Sequence, residues 1–223
     1  MIAPNHHNRF VLEAINPTTG CIATDAAFEV DDLEQLRSCL GPRAADFDPQ
    51  GEYLLEEADA GRLVQRFNVE FDPGLLPTTI RPWAVVDDLP YKVHTNRELD
   101  LMLNGRKPLA AFVDEYPPVT EYEVIPERFF DPYVSAGRFI KHEHIYAKPT
   151  PANPGQQFRR VLYACPDQQW RIPAYLLMWE IAAKGGWNDG FERMEGTLLG
   201  YADWENDAHM EMRRRLSRSS RSG

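Results

Sequence analysis

An α+β fold, with a mixed and mainly antiparallel sheet, helices packed on one face and a helical C-terminal region, is what the sequence predicts on three observations. Strand-like segments flanked by turn residues come in pairs, at 10–15 with 20–23 and at 138–147 with 158–165. Between the pairs lie short segments with helical spacing and recognisable end signals. From residue 172 to 212 the apolar residues recur at the helical period.

Taken in order, residues 10–15 and 20–23 read as paired strands because Asn16-Pro17-Thr18-Thr19-Gly20 is turn material. Residues 33–40 read as a helix: Asp32 caps it, Gln35 sits at the capping-box position, Leu33, Leu36 and Leu40 share a face, and Gly41-Pro42 stops it. Residues 54–67 read as a second helix with Leu55, Leu63, Val64 and Phe67 inward, although Gly61 weakens it. Pro73, Gly74 and Pro77 form a break, a candidate lobe boundary without a compositional shift. A hairpin is expected from strands 83–86 and 91–94 around the turn at 87–90, followed by a helix that Thr95 and Glu98 box and Asn104-Gly105 closes. Residues 109–113 are a buried strand, and 114–132, rich in proline, acid and isolated aromatics, an ordered surface loop.

Residues 138–147 alternate with Lys141 and Glu143 on one side and His142, His144 and Tyr146 on the other, and they pair antiparallel with 158–165 across the 149–155 loop. The helix at 172–183 is apolar on more than one side, with Ile172, Tyr175, Leu176, Trp179 and Ala183 spaced for a core contact. Residues 191–212 read as one last helix, with Phe191, Met194, Leu198, Tyr201, Ala208 and Met212 on its apolar stripe. One domain over 1–212 and a disordered basic tail over 213–223 complete the organisation.

The chain has 223 residues, 43% of them hydrophobic, enough for a sizeable core without staples. Its net charge is -10, yet Arg213, Arg214, Arg215, Arg218 and Arg221 all fall in the last eleven residues. With those five of the 24 basic residues set aside, 19 remain against 34 acidic ones, a formal -15 on residues 1–212. Such a body repels phosphate backbones, so nucleic acid is expected to touch the tail alone. Three scattered cysteines, Cys21, Cys39 and Cys165, suit buried thiols in a reducing compartment. The start carries no apolar leader, and the greasiest run, 174–179, is far too short to span a bilayer. A cytoplasmic location is expected.

Glu205 and His209, four apart inside the apolar stripe of the last helix, stand out because a carboxylate and an imidazole facing a core need partners. They are a hydrogen-bonded pair, half of a metal or acid–base site, or an anchor for another chain. His142 and His144, two apart on one strand face, have the spacing of a chelating pair as well as of a solvated strand face. Packed beside the last helix, they would join Glu205 and His209 in a three-histidine, one-carboxylate cluster for a divalent metal, with Glu205 and His209 as catalytic acid–base residues. Arg97 and Arg106 are candidates for holding an anionic group. Tyr116, Phe129, Phe130 and Tyr133, aromatic residues among acids and prolines, have the make-up of binding anchors. No dinucleotide or phosphate-loop glycine motif and no nucleophile elbow is present.

Three function classes follow. The leading one is a non-catalytic protein-binding or regulatory domain with an acidic surface. The second is a metal-dependent hydrolase of a small anionic substrate such as a phosphoester. The third is a structural subunit whose 172–183 helix packs onto a copy of itself or another chain.

Overall fold

In the computed structural model, residues 8–75, 77–120 and 123–219 are described, without the side chains of Pro42, Arg43 and Ser219. Residues 121 and 122 of the expected 114–132 loop and residues 220–223 of the expected tail lie outside them. The chain divides into two compact units, Met1–Arg97 and Glu98–Gly223, at a point 20 residues past Pro77 and not at the Pro73–Pro77 break. Each holds its own antiparallel sheet, so the α+β class stands while the single expected sheet is two.

The first unit is built on four strands in the order β2-β1-β4-β3. β1 (Arg9–Ile15) turns at Asn16–Gly20 into β2 (Ile22–Glu29), with the Gly20 amide donating to the Asn16 carbonyl at 2.7 Å. Helix α1 (Leu33–Cys39) starts at Asp32, whose side chain accepts from the Glu34 amide. β3 (Tyr53–Leu55) takes the start of the segment expected to be helical, and α2 (Glu57–Phe67) takes the rest. Phe10, Leu12, Phe28, Leu55 and Ile80 from the sheet pack with Leu36 and Leu40 and with Ala60 and Leu63 in one core.

The hairpin expected over 83–94 is absent. A strand the sequence did not announce, β4 (Thr78–Pro82), ends just before it and runs antiparallel to both β1 and β3, and Val85–Asp88 is a 3-10 turn. The strand was masked by its own prolines: Pro82 closes it and Pro77 precedes it. On the sheet face away from the helices, Glu13 and Arg81 pair at 2.8 Å, and Arg81 forks onto Asp87 at 2.7 and 2.9 Å.

The second unit contains α3 (Glu98–Leu103), β5 (Leu109–Tyr116), α4 (Glu127–Ser135), β6 (Ile140–Ala147), β7 (Gln157–Ala164), α5 (Arg171–Gly185), α6 (Asp189–Leu199) and α7 (Asp203–Ser219). Helix α3 begins later than the expected Thr95 cap because Asn96 is left-handed, at φ 59°, which a helical first turn does not accept. The sheet order is β5-β7-β6, and β6 and β7 pair antiparallel as expected. Leu109, Leu162 and Ala164 face Ile172, Tyr175 and Met178 of α5 and Leu198 of α6.

The opposite face meets α4, which the acid and proline content of 114–132 and Pro132 inside the helix concealed. There Phe130 stacks on Tyr163 at 4.4 Å. Helices thus cover both faces of this sheet instead of one.

Candidate functional site

The last expected helix is two helices. Gly200 ends α6 with φ 92°, a left-handed conformation that glycine adopts without strain. A Cβ at Gly200 would also collide with the Pro108 ring, so backbone and packing both require glycine there. The break changes the roles of the two residues singled out in the sequence. Glu205 is in the first turn of α7, and its Oε2 accepts from the Ala202 amide at 2.7 Å, the backward half of a capping box.

His209 points instead to α6, with its Nε2 2.8 Å from Glu192 Oε1. Glu192 also accepts from Trp187 Nε1 and pairs with Arg213, each at 2.5 Å. Burial alone would raise the Glu192 carboxyl; the Trp187 and His209 hydrogen bonds and the Arg213 charge bring it below its ordinary range. Glu205 and His209 therefore serve two separate contacts. Residues 213–219, expected as a disordered tail, continue α7, and Arg213 helps clamp it to α6.

His142 and His144 lie on one exposed face of β6, and the His144 ring stacks on Tyr146 at 5.8 Å. Among the described residues, no group of three or more His, Cys, Asp or Glu is arranged to hold a metal ion, so the four-residue cluster is not assembled.

Of the expected anchors, Phe130 is corrected outright: at 1% exposure it is a core residue, because it fills the space between α4 and the sheet. Phe129 and Tyr133 are half-buried and carry the Arg128 and Arg138 guanidiniums over their rings. Tyr116 is exposed at the end of β5. Arg97 is committed to Asp25 at 2.7 Å and to the Ile22 carbonyl, whereas Arg106 is exposed.

A polar cluster that sequence reasoning missed lies beneath α5. Arg160 of β7 is buried with its guanidinium 4.9 Å from the Tyr146 ring, 5.6 Å from Tyr175 and 4.6 Å from Trp179. Tyr175 donates to Glu195 of α6 at 2.7 Å, and burial raises both that phenol and that carboxyl. Aromatic faces, with Glu195 nearby, serve as counter-charge to the arginine and fasten α5 and α6 to the sheet. Its signal was an arginine that alternation puts on the same strand face as Leu162 and Ala164, while the adjacent Arg159 falls on the other face.

The outward side of α5 is the remaining feature. Ile172, Tyr175, Met178 and Ala182 are its buried side. Opposite them, Leu177 is 56% exposed and Ile181 48%, in line with Trp170, which is 55% exposed and helical in conformation just before α5. Ala174, between Trp170 and Leu177 in sequence, is half-buried and packs against the core of this unit, and Lys184 stands exposed one step beyond Ile181. Other exposed apolar residues, such as Val119 and Val124 between β5 and α4 and Ile145 on β6, sit away from α5 and are ordinary surface.

No family model, curated protein or solved structure matches the chain. No helix among the described residues is long and apolar enough to cross a membrane.

Proposed function

We propose that the chain is a non-catalytic protein-binding domain that engages its partner through the outward ridge of α5. The observation that carries this reading is a helix with two apolar sides, one spent on the sheet and the other, Trp170, Leu177 and Ile181, left in solvent. A tryptophan and two aliphatic residues stand exposed along one side of the helix, with the Arg171 guanidinium over the Trp170 ring and Glu180 and Lys184 at the far end. That is the make-up of an interface centre with a polar rim. Covering the exposed halves of Leu177 and Ile181 contributes about 1 kcal/mol each on the usual area scale.

A second support is that Glu205 and His209, the acid–base pair of a hydrolytic reading, are engaged in the fold. Glu205 caps α7, and His209 joins Glu192 between α6 and α7.

The test is site-specific photocrosslinking in cells that produce the chain. A photoactivatable phenylalanine is placed in turn at Leu177, at Ile181 and, as control, at Val119, which is 73% exposed. The expected result is the same protein, identified by its peptides, joined at both ridge positions and not at 119. No adduct at 177 or 181, or an equal yield at 119, sinks the reading.

A further inference from the structure

We infer that Ser217 is a phosphorylation site, read through the arginines before it by a serine kinase with an acidic substrate groove, and that its phosphate frees the end of α7 from α6. The inference is independent of the α5 reading. Residues 213–217 run Arg-Arg-Arg-Leu-Ser, and Ser217 is the one hydroxyl of the chain with arginine both two and three residues before it. Guanidiniums at a fixed spacing from a hydroxyl are what an acidic groove reads, by charge and by forked hydrogen bonds to its carboxylates. The last eleven residues hold five arginines and no acid on a chain of net charge -10, so an acidic groove is steered to this end and away from the rest.

The segment is within reach. Helix α7 runs through Ser219, and residues 214–218 are all exposed. Ser217 Oγ donates to the Arg213 carbonyl at 2.9 Å, a bond within the helix that local unwinding releases. The Arg214 and Arg215 side chains are 56% and 74% exposed, the first 3.6 Å from Asp189 and the second 3.1 Å from Glu211. Exposed pairs of this kind hold weakly and the end of a helix frays at little cost, so the segment can enter a groove in extended form. In the transfer, Ser217 Oγ attacks the γ-phosphorus of a nucleoside triphosphate. The Oγ–P bond forms as the bond from that phosphorus to the β,γ-bridging oxygen breaks, the diphosphate leaves and the hydroxyl proton passes to the kinase's base.

The product alters the α6–α7 junction. Arg213 and Arg214 stand four and three residues before Ser217, one turn away on the helix surface, and both are held by α6: Arg213 by Glu192 at 2.5 Å and Arg214 by Asp189. A phosphate, with nearly two negative charges and three acceptor oxygens, competes better than a single carboxylate for each guanidinium. It also puts negative charge at the C-terminal end of a helix, where the dipole opposes it. Both effects loosen the last turns of α7, while Glu192 keeps Trp187 and His209.

The test treats the purified full chain with ATP and the catalytic subunit of cyclic-AMP-dependent kinase and maps the phosphate by peptide mass spectrometry. The expected result is one phosphate, at Ser217, none at this position on Ser217→Ala, and a rate at least about tenfold lower on a chain carrying Arg214→Gln with Arg215→Gln. These side chains are exposed, so each variant keeps the wild-type circular dichroism. In hydrogen exchange, amides 213–219 of the phosphorylated chain exchange at least about threefold faster, with 192–198 of α6 unchanged. Chain isolated from the cells that produce it carries the same phosphopeptide. No phosphate at Ser217, an equal rate on the arginine variant, or absence of the phosphopeptide from those cells overturns the site, and unchanged exchange at 213–219 overturns the release.

Discussion

Glu13 shows what a single buried charge costs and how the fold offsets it. It is 2% exposed in the central strand β1, and burial raises its carboxyl pKa even though Arg81 donates to it at 2.8 Å. Arg81 is the common member of the group, because it also forks onto Asp87. Arg81→Met removes the cation from two carboxylates at once, and its expected cost is about 3–5 kcal/mol at pH 7 by urea unfolding. The cost shrinks toward pH 5, because a buried acid with a raised folded-state pKa regains its stability as it takes up a proton. An equal loss at both pH values contradicts this account.

Lys107 offers the opposite sign. Burial pulls its ammonium from 10.5 to about 8, with Glu98 and Glu195 opposing, while Nζ donates to the Leu199 carbonyl at 3.2 Å. Between pH 8 and 10.5 the unfolded chain holds this proton more tightly than the folded one, so stability rises with pH across that window. Measured against Lys107→Met, the wild type is expected to gain roughly 2–3 kcal/mol from pH 8 to 10.5. A constant difference across the window argues against the buried ammonium.

At the scale of elements, the junction of α6 and α7 decides what the C-terminal region can be. Gly196 lies inside α6 where the Asn206 side chain of α7 presses against its backbone, so a Cβ would collide with the Asn206 carboxamide. Asn206 is buried, and its Nδ2 donates to the Tyr201 carbonyl, which hinders it from swinging away. Helix propensity alone favours Gly196→Ala by about 1 kcal/mol. Here the expected outcome is a net loss of about 1–2 kcal/mol in thermal or urea unfolding, the usual size of overpacking offset by propensity. A gain in stability contradicts the interlock.

The same junction marks where sequence reasoning ran out. α1, with its Asp32 cap, and the β6–β7 pair were legible because capping and strand alternation are local. The break at Gly200 was not, because one glycine costs a helix only about 1 kcal/mol and the decisive contact is with Pro108, far away in sequence. Once α6 and α7 separate, Glu205 becomes a cap and His209 finds Glu192, so the spacing of the pair was visible while its partners were not. In α5 the two apolar sides were legible from composition. Which side meets the sheet is a tertiary choice: Met178 and Ala182 turn inward, and Ala183, expected in the core, is exposed.

At the scale of the molecule, two units with separate sheets and cores carry a chain of net charge -10. Such a charge opposes unselective association, so the proposed partner of the exposed apolar residues on α5 has to be a specific one. Trp170 and Trp204 give a matched pair of reporters for that occupant, at 55% and 54% exposure, the first on the α5 ridge and the second on α7. The direct test is hydroxyl-radical footprinting of both tryptophans in cells and in dilute purified protein. The account predicts several-fold protection of Trp170 in cells with Trp204 unchanged. Equal labelling of the two tryptophans under both conditions would mean that the ridge stays bare, and would contradict the assignment of α5 as the binding surface.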